Sequence, residues 1–229
     1  ITLFGLSRHL DTWTPPKESY RMLRQIIRER DQILQSRTAA KNQLHAENAG
    51  AYPHKSSVKR TQKLIAFLDK QEQEINQEIK ELVQNDPEIK KTLKVLCTIP
   101  GIGLLTASTV LAETNGFDLI RNKRQLVSYA GLDVREKISG TSVKGKPRIS
   151  KKGNRYLRKA MHFPALAAIR HDERYKAIFA RLVARTGIKM KGAVAVQRKL
   201  LEMIYVIFIS VKPYDKEYLK KLESSIAAP

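Results

Sequence analysis

The sequence predicts a mainly all-α chain, a long antiparallel coiled-coil hairpin followed by a compact helical domain with a helix-hairpin-helix element. Three observations lead there. Apolar residues recur at helical spacing in two narrow stripes over residues 17–84. Composition changes after "NDPEI" at 85–89, where apolar residues become denser. A glycine-bearing turn, "IPGIG" at 99–103, then separates two apolar helical segments. These mark a coiled-coil hairpin at 17–87, a compact helical domain at 88–212 and a tail at 213–229.

The first helix is expected over 17–48, opened by Pro15-Pro16 and striped by Leu23, Ile26, Ile27, Ile33, Leu34 and Leu44. "NAGAYPHKSS" at 48–57 breaks it. The second runs to about residue 84 on Leu64, Ile65, Leu68, Ile75, Ile79 and Leu82. Both stripes are thin, so they are expected to pack against a partner chain in a homo-oligomer; the alternative is a plain helical pair on this chain's own core. Further helices are expected over 88–98, 104–114, 121–131, 151–171, 173–186 and 190–211, with a loop at 133–150 and Pro213 as the final stop. The last segment, "YDKEYLKKLESSIAAP", reads as a frayed helix or a disordered tail.

Charge narrows the function. Lys and Arg number 43 against 22 Asp and Glu, a formal +21 over 229 residues. Residues 121–200 carry 22 of those cations and only Asp133, Glu136, Asp172 and Glu173, which places +18 in that segment. So one-sided a field repels itself unless a polyanion neutralises it, and nucleic acid is the natural partner. No apolar run approaches the roughly 18–20 residues of a membrane span; "MIYVIFISV" at 203–211 is about half as long. A single Cys97 leaves no disulfide framework and fits a reducing cytosol. Five scattered His residues share no ligand spacing, so no metal site is expected in this chain.

Two motifs carry chemistry. In "LCTIPGIGLLTASTVLAE" at 96–113, Gly101 and Gly103 would turn the chain and offer N–H groups to a backbone phosphate, or would simply join two packed helices. In "ISGTSVKGKPRISKKGNRYLRKA" at 138–160, Gly140, Gly145 and Lys146 mimic a nucleotide loop, but Pro147 stands where a magnesium-binding hydroxyl is required. Ten Lys and Arg between 135 and 160 instead form a grip for a phosphodiester backbone. Lys144, Arg148, Lys151, Lys152, Asn154, Arg155 and Arg158 are the candidate contacts, with Ser150 as the expected helix cap. Ser139, followed by Gly140, is a candidate nucleophile or an ordinary loop residue; no His neighbours it as a base.

Four stretches in this order, "IPGIG", "RQLVSYAGLDV", "SGTSVKGKPRISKKGNRYLRKA" and "RKLLEMIYVI", resemble the C-terminal domain of the insertion-sequence 110/116 transposases, bacterial DNA recombinases related to Piv-type invertases. The resemblance implies that Ser139 is a catalytic nucleophile joining DNA through a phosphoserine. It also implies assembly as dimers or tetramers, DNA as partner, and in some members a structured guide RNA. It implies a bacterial cytoplasmic location. It makes residues 1–16 a linker remnant following an N-terminal RuvC-like domain, whose carboxylates would hold divalent metal (Mg). That domain is expected to be absent from this chain, leaving it without a cofactor and inactive alone. The alternative is a non-catalytic helix-hairpin-helix module that binds nucleic acid.

Overall fold

The computed structural model describes residues 15–118, 120–139 and 143–218; the side chains of 137–139, 143, 144, 146 and 147 lie outside that description, as do most of the expected linker at 1–16 and the tail beyond 218. Two long helices come first, α1 (Glu18–Ala49) and α2 (Lys55–Asn85). They run antiparallel, because partners step down one as they step up the other. Arg30 binds Glu72 at 2.6 Å and Asn76 at 2.7 Å, Arg37 binds Asp69 at 2.7 Å and also Glu72, and Glu47 accepts from Ser57 at 3.1 Å. At the hairpin's base, Leu23, Ile27 and Ile33 meet Leu68, Ile75, Ile79 and Ala112 in one buried cluster. The stripe is therefore covered largely by this chain itself. Leu64 and Phe67, 48% and 55% exposed, lie outside that cluster on the outer part of α2.

Asp86 alone joins α2 to α3 (Pro87–Leu96). Its carboxylate accepts from the N–H groups of Glu88 and Ile89 at 3.1 and 3.2 Å, and Pro87 at the first helical position needs no partner. Lys17 bridges Asp86 and Glu88 at 3.1 and 2.8 Å, tying the start of α1 to the same joint. The turn after α3 buries Ile99 and Ile102 and leads into α4 (Leu104–Thr114). From Ala107 to Thr114 nearly every residue of α4 is buried, which makes it the central helix of the domain. Around it stand α5 (Lys123–Tyr129), α6 (Arg155–Ala160), α7 (His162–His171), α8 (Glu173–Thr186) and α9 (Lys189–Ser210). Leu111, Leu126, Leu157, Met161, Leu200 and Ile204 from these elements share the main core.

The chain is mainly helical, and it departs from expectation in three places. Residues 133–150 are not a loop. They hold an antiparallel hairpin, β1 (Val134–Ser139) with β2 (Val143–Ile149), in a register that pairs Arg135 with Arg148 and Ser139 with Val143. Pro147 is tolerated there because a two-stranded sheet has only edge strands. The single helix expected over 151–171 is two, α6 and α7, broken at Met161. Pro164 lacks the N–H that would bond Ala160 and its ring crowds that carbonyl, so the helix restarts with Pro164 inside the first turn of α7. The last helix ends at Ser210, with Val211 in the left-handed conformation, before Pro213 is reached.

The two turn glycines differ in kind. Gly101 has φ +82°, and a methyl group on it would lie 2.5 Å from the Pro164 carbonyl of α7. Gly103 is extended (φ −97°) with nothing within 4 Å of such a group. We therefore expect Gly101→Ala to destabilise the chain by about 1–3 kcal/mol and Gly103→Ala to be within about 0.5 kcal/mol of wild type. Urea unfolding of the two variants separates these outcomes.

Candidate nucleic-acid interface

The base of the β-hairpin is built from polar anchors. Ser150 donates its backbone N–H to the Asp133 carbonyl at 2.9 Å and its hydroxyl to the Asp133 carboxylate at 2.6 Å, so the two strands close on each other. Ser150 is thus not the cap expected of it. The N-cap of α6 is Asn154, whose side-chain oxygen accepts from Tyr156 and Leu157 N–H at 2.9 and 3.2 Å. Between them the chain crosses the end of α5 at very close range. Asn154 N–H bonds the Tyr129 carbonyl at 2.7 Å, and a Cβ on Gly153 would sit 2.2 Å from that same oxygen. Only glycine permits that approach.

This crossing fixes where each candidate residue stands. Arg148, Lys151, Lys152 and Arg155 are exposed along the returning strand and the first turn of α6. Lys151 has φ +55°, a conformation that costs a non-glycine residue of the order of 1 kcal/mol. It is held by its N–H bond to the Gly131 carbonyl at 3.1 Å. Arg135 and Arg148, both exposed, stand opposite each other in the strand register. Like charges directly opposite are unfavourable without a counter-anion. Asn154 and Arg158 are turned to the protein: Arg158 donates to the Ala130 carbonyl at 2.7 Å, capping the end of α5. Lys144 pairs by backbone with Ile138, and Ser139 ends β1 opposite Val143, some four residues and roughly 13 Å beyond Arg135 along the strand. Their side chains, and Gly140, lie outside the described residues. Both turn glycines are exposed, but Gly101 backs directly onto the Pro164 carbonyl of α7, whereas Gly103 has open space beside it at the start of α4, where the Ala107 N–H bonds its carbonyl.

A residue that sequence reasoning passed over organises the region. Glu113, 2% exposed, receives the Arg28 guanidinium in two bonds of 2.9 and 2.8 Å and the Asn154 amide at 2.7 Å. The Tyr129 hydroxyl donates to its backbone carbonyl at 3.1 Å, and Arg24 donates to the neighbouring Ala112 carbonyl at 2.8 Å. Burial alone would raise the Glu113 pKa. The bonds from Arg28 and Asn154 outweigh it and hold the carboxyl below its ordinary value. Arg28 also lies over the Tyr156 ring at 4.8 Å, and Arg155 lies over the same ring at 4.9 Å. The only sequence signal was a lone acid at the end of the apolar run "TASTVLAE".

Among the described residues no three His, Cys, Asp or Glu side chains gather as metal ligands, and no helix is long and apolar enough to cross a membrane. The arrangement is a cationic ridge on a rigid base, suited to holding a phosphodiester backbone.

Residues 93–180 match the family model described as Transposase IS116/IS110/IS902 family. Among curated proteins the chain is similar to a pilin gene-inverting protein of Moraxella bovis, 24% identical over 220 residues, covering 94% of this chain and 66% of that protein. It is also similar to the transposase for insertion sequence element IS1111A of Coxiella burnetii, 25% identical over 82% of this chain and 59% of that protein. A third relative is an uncharacterized 43.6 kDa protein of insertion element IS110 from Streptomyces coelicolor, 29% identical over 49% of this chain and 28% of that protein. The chain thus spans just under two-thirds of the length of the pilin gene-inverting protein.

Removing the buried Glu113 carboxylate takes the shared acceptor from Arg28, whose side chain is 43% exposed, and from half-buried Asn154. Water can reach Arg28 in its place, so we expect Glu113→Ala to cost about 1–3 kcal/mol in urea unfolding. Because its folded pKa is depressed, Glu113 contributes stability that is full above the unfolded carboxyl value and is lost as pH falls through the folded one. Stability of the wild type should therefore decline below about pH 4.5, and Glu113→Gln should show a shallower decline there, measured by unfolding at pH 3 and pH 6.

Proposed function

We propose, from the match of residues 93–180 to the family model described as Transposase IS116/IS110/IS902 family, that this chain is the nucleic-acid-gripping and nucleophile-bearing part of a DNA transposase or site-specific recombinase. The observation that carries the reading is the conjunction of that family segment with an exposed cationic ridge, Arg135, Arg148, Lys151, Lys152 and Arg155, leading from the hairpin that ends β1 at Ser139. The relatives' names, a gene-inverting protein and a transposase, fit an activity that breaks and rejoins DNA.

In this reading the ridge holds the DNA backbone while the hairpin brings Ser139 to a scissile phosphate. The serine oxygen attacks phosphorus and gives up its proton, an Oγ–P ester forms, and one DNA oxygen leaves and is protonated. Attack by a DNA hydroxyl on that ester returns the serine and seals a new phosphodiester. Gly103 and the start of α4 add an uncharged backbone donor for a neighbouring phosphate. The divalent ion (Mg) that the resemblance implies finds no clustered ligands among the described residues, so we assign it to carboxylates beyond them and derive no step through it. A structured guide RNA would meet the same positive field, and oligomers would form through the outer part of the α1–α2 hairpin, where Leu64 and Phe67 are exposed.

Two variants test this. Ser139→Ala, expressed from the natural reading frame, should reduce recombination to background while changing DNA affinity less than twofold. Recombination at the wild-type rate would remove Ser139 from the chemistry and leave a binding module. Arg148→Ala and Lys152→Ala should each weaken binding across DNA sequences and lower the salt slope of the binding constant by about one.

A further inference from the structure

A second feature adjoins the ridge on its α1 side. Between α1, α4 and the α6–α7 junction lies an open groove of about 360 Å³. Its apolar lining comes from Ile27, Leu34, Leu105, Ala160, Phe163 and Pro164. Phe163 is 77% exposed, a whole aromatic face left in water at the groove's edge, with the His162 ring edge-on at 5.5 Å. Such a ring on a helix packed into the core by its other face is an unoccupied contact surface.

The neighbours identify the occupant. Tyr156 lines the same groove and carries the guanidinium groups of Arg28 and Arg155 over its ring, so the apolar space opens directly onto the cationic ridge. Leu105 and Thr106, in the first turn of α4 just after Gly103, form another wall. The Asp31 carboxylate, held by Lys159 and Gln35, also lines it. An apolar floor, an exposed ring, and guanidinium groups stacked on the adjoining Tyr156 ring suit one ligand chemistry. It is a planar heteroaromatic ring attached to a phosphate.

We infer that this groove takes an unpaired nucleobase, stacked on Phe163, while its backbone phosphate lies on Arg155. The inference rests on the nucleic-acid reading above and deepens it. Inside the groove Lys159 and Arg30 are already paired with Asp31 and Glu72, whereas exposed Arg155 has no carboxylate partner among its hydrogen bonds to the described residues, which places the backbone toward Arg155 and the base inward. A paired base in a duplex offers no free face for Phe163, so the groove selects single-stranded or distorted nucleic acid, DNA or RNA alike.

The test compares Phe163→Ala and Phe163→Trp with the wild-type full chain, by fluorescence anisotropy at low salt. The probes are a labelled single-stranded DNA 20-mer, the same sequence as RNA, and the DNA duplex. Phe163 is exposed, so its loss should leave the fold intact by circular dichroism. Loss of single-strand affinity by about fivefold or more in Phe163→Ala, retention in Phe163→Trp and unchanged duplex affinity support the inference, for whichever of DNA and RNA responds. Equal single-strand binding by Phe163→Ala and wild type overturns it. So does a change in oligomeric state on size exclusion without a change in binding, which would make the groove a protein contact. If the wild type binds none of the probes, the nucleic-acid reading itself fails, and this inference with it.

Discussion

A buried carboxylate must be paired, and here that requirement ties three distant parts of the chain together. Glu113 sits in the central helix α4, Arg28 in the long helix α1, and Asn154 at the cap of α6. Each alternative arrangement would strand at least one charged or polar group away from water, at a cost of several kcal/mol. The α1–α2 hairpin and the segment that follows β2 are consequently braced against one side chain, alongside the apolar cluster at the hairpin's base. The neighbouring bonds, Tyr129 to the Glu113 carbonyl and Arg24 to the Ala112 carbonyl, satisfy the end of α4 in the same place.

That junction explains why cationic residues of similar appearance in the sequence have different fates. Arg158 and Asn154 spend their hydrogen bonds on the ends of α5 and α6 and so hold the ridge in place. Arg148, Lys151, Lys152 and Arg155 point to water on that fixed base. Pre-ordered cations lose less freedom on meeting a phosphate than cations on a mobile loop.

The long helices were readable because apolar spacing and strong punctuation agree: both ends of α1 and the end of α2 fall within a residue or so of their expected bounds, although α2 starts at Lys55, inside the expected break at 48–57, and Asp86-Pro87 marks the joint by cap chemistry alone. The β-hairpin was less legible. "VREKIS" and "VKGKPRI" are short, heavily charged and contain Pro147, and their sheet is anchored by Asp133 and Ser150 rather than by a broad apolar face. The split between α6 and α7 depends on Pro164 falling one turn too late for continuity. Within the candidate site the exposed cations were visible as composition, but Glu113 was not, because its partners Arg28 and Asn154 lie 85 and 41 residues away. Nothing in the sequence singled out Phe163, since its helix is largely apolar and only packing decides which face meets water.

The outward and return helices of residues 18–85 both anchor in the globular body, one through Lys17 on the Asp86 joint and the other through that joint itself. Their far end, Gly50–His54, stands roughly 48 Å away along a 32-residue helix. The geometry is that of a lever with its fulcrum at Arg28, Arg24 and Asp86. A tilt of about 5° at the fulcrum, within the small sliding that packed helices undergo, would carry the far end, roughly 32–38 Å beyond Arg28 and Arg24, through about 3 Å. Whatever engages that end therefore works with a mechanical advantage of length, pulling on the helix whose base also braces the ridge through Arg28 and Glu113.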